Sequence, residues 1–136
     1  MNSFHNPAGL ATPNGFSHVA QSGHSRTVYI SGQVAYDATG AIVGQDDLQA
    51  QTLQVYQNLR IALASVGATM GDVVKTTLFV KDLSPDKAVI IRQARAGFLN
   101  TDAPPASTMV GVSSLAKPAL LLEVEAVAML AARPDA

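Results

Sequence analysis

Cysteine is absent from this chain of 136 residues, which excludes disulfide frameworks, thiolate zinc sites and cysteine nucleophiles. Charge is scarce as well. Asp, Glu, Lys and Arg make up 14% of the residues, against a usual share of about 25%. So much neutral surface suits a chain that buries part of itself against other copies, and a homo-oligomer is the natural expectation. Nine basic residues face ten acidic ones for a formal charge of −1. The basic residues are scattered from Arg26 to Arg133, whereas phosphate backbones require clustered cations, so nucleic acid is not expected as a partner. No apolar stretch reaches the ~18 residues of a membrane span. No basic segment leading into an apolar core opens the chain. The expectation is a cytoplasmic protein that engages no membrane. A Gly-rich phosphate loop followed by lysine is missing, and no Ser-His-Asp arrangement is legible. His5, His18 and His24 are dispersed without helical pairing, so no metal is expected.

What is present is an apolar fraction of 48%, enough for one packed domain over residues 1–136 with an ordered core over roughly 6–129. Residues 1–16 are rich in Asn, Pro and Gly and read as an irregular lead-in. A short strand is expected at Val19–Gln21 and a turn at Ser22–Ser25. Thr27–Ile30 is a β-branched and aromatic strand, and Val34–Tyr36 continues it in extended form. Asp46 and Asp47 open a helix whose inner face carries Leu48, Thr52, Val55, Leu59, Ala62 and Val66 at spacings of three and four. Gly67 ends it. Val73–Val80 reads as a strand. Ser84-Pro85 starts a second helix, with serine as cap and proline in the first turn. That helix runs to about Leu99, with Ala88, Ile91, Ala94 and Phe98 as its apolar stripe. Thr108–Val112 and Leu120–Met129 are the last strands. The order is ββαβαββ, an α+β architecture with two helices on one face of a mixed sheet.

The last strand holds the main chemical signal. Glu123 and Glu125 interrupt an apolar run and, two residues apart, share one strand face. A carboxylate there is either solvated at an edge or held in a polar cleft, because burying it unpaired is costly. In a cleft Glu123 would orient water or move a proton. If Glu125 shared its cavity, like charge would raise one of the two pKa values. Gly32, within a strand, signals a bulge or a close backbone approach.

The element order, Ser31-Gly32-Gln33, the string from Asp72 through Val-Lys-Thr-Thr-Leu-Phe-Val to Lys81-Asp82-Leu83, the loop Ala103-Pro104-Pro105-Ala106-Ser107, and Glu123-Val124-Glu125-Ala126 together resemble the RidA/YjgF/YER057c/UK114 family. The resemblance covers roughly Asn6 to Met129. It implies a chorismate-mutase-like fold whose sheets close into a barrel in a homotrimer, with small-molecule clefts between subunits. Active members hydrolyse enamines and imines such as 2-aminoacrylate, without metal or cofactor. In them an arginine before the penultimate strand clamps the substrate carboxylate, as a bidentate guanidinium is suited to do.

This chain departs from that pattern at the clamp. The arginine position is Ser107, and the cysteine often found two residues later is Met109. The asparagine of the second helix is Arg92, and the tyrosine of the first loop is Phe16. Glu123 and Gly32 match the family's water-orienting glutamate and cleft glycine. Four functions follow as expectations. One is a cofactor-free hydrolase or tautomerase of a small metabolite, using Glu123, the Gly32 backbone and Ser107. Another is imine deamination with a relocated cation, Arg92 or His18; Arg92 and Arg95 lie about one turn apart in the second helix, and one of them could reach the cleft. A further one is a non-catalytic trimeric metabolite sensor or protein-interaction module. Ribonuclease activity, attributed to some relatives, has no histidine pair or basic groove to support it. Phe16 and Met109 would wall the cleft, and Glu125 would contact ligand from the shared strand face.

Overall fold

The structure, a computed structural model, describes residues 2–13, 15–24 and 26–132. Arg133, Ser25 of the turn at 22–25 and Asn14 of the lead-in lie outside the described residues. A four-stranded sheet forms the centre. In sequence its strands are β3 (Arg26–Gln33), β4 (Val73–Lys81), β5 (Ala106–Val112) and β6 (Leu122–Leu130), and in space the order is β3-β6-β4-β5. β6 runs antiparallel to both β3 and β4, whereas β4 and β5 are parallel. A parallel pair needs a crossover, and here α2 (Pro85–Arg95) provides it. A separate hairpin-like sheet pairs β1 (Asn2–His5) with β2 (Val19–Ser22). The lead-in is therefore not wholly irregular. Asn-Ser-Phe-His carries no strand pattern of its own and becomes a strand by pairing with β2.

Both helices, α1 (Leu48–Ala64) and α2, cover one face of the central sheet. Strand alternation divides β6 cleanly. Leu122, Val124, Ala126, Ala128 and Leu130 are buried beneath the helices, while Glu123, Glu125, Val127 and Met129 turn to the opposite face. Val55, Leu59 and Leu63 of α1, Leu78 and Val80 of β4, and Ile91 of α2 complete the core. Each such side chain, fully buried, contributes about 1.5–3 kcal/mol.

The helix ends follow from local chemistry. Asp47 caps α1, its carboxylate accepting from Ala50 N at 3.0 Å. Beyond Ala64 the chain closes a Schellman motif. Gly67 N donates to Ala64 O at 3.1 Å and Ala68 N to Leu63 O at 2.9 Å, with Gly67 left-handed at φ 76°. Ser84 caps α2 through Lys87 N. This helix stops at Arg95, four residues before Leu99, and continues as a 3-10 turn over Ala96–Phe98.

The extended reading of Val34–Tyr36 does not hold. β3 ends at Gln33 after a register shift between Ile30 and Gln33. Ala35 is fully buried, and the segment leaves the central sheet for a small antiparallel turn, Tyr36 bridging Ile42 and Val43 N donating to Ala35 O, held in place by amides of α1. Asn58 Nδ2 donates to Val34 O and Tyr36 O at 3.0 and 2.9 Å. Gln51 makes a similar clamp from the core: Nε2 donates to Gly44 O and Ala119 O, and Oε1 accepts from Leu121 N at 2.9 Å. Gly44, at φ 83°, allows this approach, since a Cβ there would lie 2.9 Å from the Ala50 Cβ.

Candidate functional site

The candidate residues divide between two faces of the sheet. Glu123 lies on the helix-free face, opposite Phe79 of β4. It is half-buried against Gly32, where the bulge of β3 brings the backbone in close. A Cβ at Gly32 would collide with the Glu123 side chain, 2.7 Å from Cδ and 2.8 Å from Cγ. The residues at 32 and 123 thus form one unit: the missing side chain makes the space that the carboxylate fills. Glu125 shares this face but stands away from Gly32. It lines a shallow hollow of about 400 Å³ with Tyr29, Ser31, Lys75 and Thr77. Glu123 is not among the residues lining that hollow.

Ser107 and Met109 are on the edge strand β5, in register with Thr76 and Leu78 of β4. Those two neighbours are buried on the helix side. Ser107 Oγ accepts from Thr76 Oγ1 at 3.0 Å, which leaves its own hydroxyl hydrogen able to donate. Beside Ser107 lies a hollow of about 290 Å³ between β5 and α2, lined by Phe16, Leu83, Arg92, Arg95, Ser107 and Met109, among others. An adjoining hollow of about 410 Å³ shares Phe16, Arg92 and Arg95 and adds Asp102 at its rim.

The first loop reaches this edge because it is tied to β5. Ser17 N donates to Pro105 O at 2.9 Å and its hydroxyl donates to Pro104 O. Phe16 is thereby set over the hollow. His18 is not in it. Its Nε2 pairs with Ala11 O at 2.6 Å and its backbone N donates to Asn6 Oδ1. Its ring stands edge-on to Phe16, 5.2 Å between centroids.

Arg95, one turn beyond Arg92, is the most telling residue of the cluster. It is 4% exposed. The position is four residues after Ile91, so the apolar stripe that aims Ile91 inward aims Arg95 inward too. Its Nη2 donates to Gly15 O at 3.3 Å. Its charge and hydrogen bonding act on the Tyr56 hydroxyl, lowering that group's pKa against the larger upward push of burial. Thr76 and Ser17, both buried polar residues at this edge, carry no sequence signal that separates them from ordinary strand residues.

Among the described residues no group of three or more His, Asp or Glu side chains could hold a metal ion, and no helix is long and apolar enough to cross a membrane.

A four-stranded mixed sheet with two helices on one face, a glutamate seated on a glycine bulge and a hollow lined by two arginines at the edge strand define a small two-layer α+β protein. Comparison with known proteins makes this specific. The family model for Endoribonuclease L-PSP matches residues 7–130. A 2-iminobutanoate/2-iminopropanoate deaminase of Salmonella typhimurium is 38% identical over 104 residues, 75% of this chain and 78% of that protein. Among solved structures, a Rid-family protein of unknown function, YyfB from Yersinia pestis, is similar at TM-score 0.89 and 40% identity, covering 95% of this chain and 98% of that one. Escherichia coli TdcF, solved with bound serine, is similar at TM-score 0.69 and 27% identity, covering 90% and 91%. The chain belongs to the RidA/YjgF/UK114 family.

Proposed function

We propose that this protein hydrolyses small imines, and the enamines that tautomerise to them, to ammonia and a 2-oxo acid, with the anion-holding cation moved from β5 to α2. The observation that carries this reading is the placement of Arg92 and Arg95 in the same hollow as Ser107, the position where the family's clamp would stand. The similarity to a 2-iminobutanoate/2-iminopropanoate deaminase supports the reaction class. It favours this reading over a hydrolase or tautomerase of unrelated substrates.

Within one copy Glu123 and Ser107 lie on opposite faces of the sheet. A homotrimer resolves this by bringing the Glu123 face of one copy to the β5 edge of the next. In that cleft a guanidinium of α2 holds the substrate carboxylate, and the Ser107 hydroxyl donates to one of its oxygens. Glu123 orients a water toward the imine carbon and accepts its proton as the C–O bond forms. Attack on the protonated imine gives the neutral carbinolamine; its nitrogen takes the proton held by Glu123, and ammonia leaves as the C=O bond forms and the hydroxyl proton passes to water. Water supplies the oxygen of the 2-oxo acid, and no redox change occurs.

The test generates imines from several amino acids beside the purified protein and follows ammonia release. Acceleration above the free solution rate is expected, and Glu123→Gln is expected to cut it by roughly 10²-fold or more while the oligomer persists. If no imine is hydrolysed faster than in buffer, the reading fails.

A further inference from the structure

The two arginines do more than replace one. Arg95 is buried, and of the five N–H donors of a guanidinium, one is placed on Gly15 O, with its charge felt at the Tyr56 hydroxyl. None of its nitrogens is both sealed from solvent and without a hydrogen bond, so its remaining donors open into the hollows it lines. Arg92 is half-buried one turn away and makes no hydrogen bond or ion pair among the described residues. Both pack on the same backbone turn. A Cβ at Gly15 would stand 3.3 Å from Arg95 Nη2 and 3.8 Å from Arg92 Cδ. Of the carboxylates among the described residues, only Asp102 borders either hollow. It is on the outer one and forms no ion pair with these arginines.

The inner hollow therefore holds two positive charges between apolar walls, Phe16, Leu83 and Met109, with no anion lining it. One bidentate guanidinium satisfies a single carboxylate. A second, without an acidic partner in its own copy, carries in a partly desolvated hollow a desolvation cost that further negative charge offsets. We propose that the Arg92–Arg95 pair is a dianion subsite, so that this protein selects substrates with a second acidic group, as in the imine of a dicarboxylic amino acid. The substrate assignment rests on the imine-hydrolase reading; the binding site for a dianion does not.

The experiment measures binding first, by calorimetry on the intact protein at low salt. Succinate, butanoate of the same chain length, and inorganic phosphate are the probes. Succinate is expected to bind at least roughly tenfold more tightly than butanoate. In Arg92→Gln the two are expected to become equal within about threefold. Arg95→Lys keeps the charge and loses the fork, and is expected to weaken succinate while a folded far-UV spectrum is retained; it replaces Arg95→Ala, which removes a buried anchor. Phosphate binding as tightly as succinate supports a dianion site and widens its ligands to phosphoryl groups. Phosphate binding weakly confines the site to dicarboxylates. Equal affinity for succinate and butanoate in the unmodified protein overturns the proposal, as does a succinate preference that survives both variants. Turnover follows. Imines from aspartate or glutamate should be hydrolysed faster than the imine from alanine. If no imine reacts yet succinate binding depends on Arg92, the hydrolase reading falls and the dianion site stands.

Discussion

Gly32 shows how much a missing side chain can decide. Its backbone is not left-handed, so alanine meets no conformational penalty there; what it meets is the Glu123 side chain, 2.7 Å from a Cβ. The glutamate is the flexible partner and must leave its seat. Gly32→Ala is therefore expected to lower turnover nearly as far as Glu123→Gln does, with a stability change within about 1 kcal/mol. Parallel rate and thermal-melting measurements separate the two effects. A large loss of stability with intact turnover would count against the pairing. Gly32 and Glu123 were each legible in the sequence, one as a strand glycine and the other as a carboxylate in an apolar strand. Their contact was not, because it depends on the register of β3 against β6 and on the bulge within it.

Helices and strands here owe their limits to short-range chemistry, and their contacts to buried amides. The caps at Asp47, Gly67 and Ser84 are carried by residues whose side chains or backbone freedom suit that one position. Gln51 behaves differently. Placed in the first turn of α1 on its inner face, it is fully buried and ties the segment before β6 to that before α1 through three hydrogen bonds. Replacing it with leucine of similar volume leaves Ala119 O and the Leu121 N–H without partners, while Gly44 O keeps its bond from Asp47 N. The expected loss is roughly 2–4 kcal/mol, read as a lower denaturation midpoint in urea with an unchanged slope. The helical period assigned α1 and half of its buried face, Thr52, Val55 and Leu59, since period needs only neighbours three and four residues away; Tyr56 and Leu63 are buried beside them, whereas Val66 lies past the helix end and is exposed. The period passed over Gln51 because polarity argues for solvent until a partner is in view.

The assembled chain leaves one sheet face without helices. Tyr29, 80% exposed, Val110, Val127 and Glu125 are on it. With so little charge in the chain, such a face suits contact with further copies. We expect light scattering to report a trimer, and Val127→Asp to return it to the monomer with the helix content retained, because the substitution places charge on the open face and none in the core. A monomeric unmodified protein would separate Glu123 from the α2 arginines and remove the basis for their joint action.

Hydrophobic period, cap chemistry and the string of motif residues specified the α+β layering, the helix starts and the family, because each depends on residues close in sequence. The division of the candidate residues between two faces, the seat of Glu123 on Gly32 and the inward turn of Arg95 beside Arg92 needed the folded chain. These depend on strand register, on a bulge and on which helix lies over the edge strand, and such long-range geometry has no local signature.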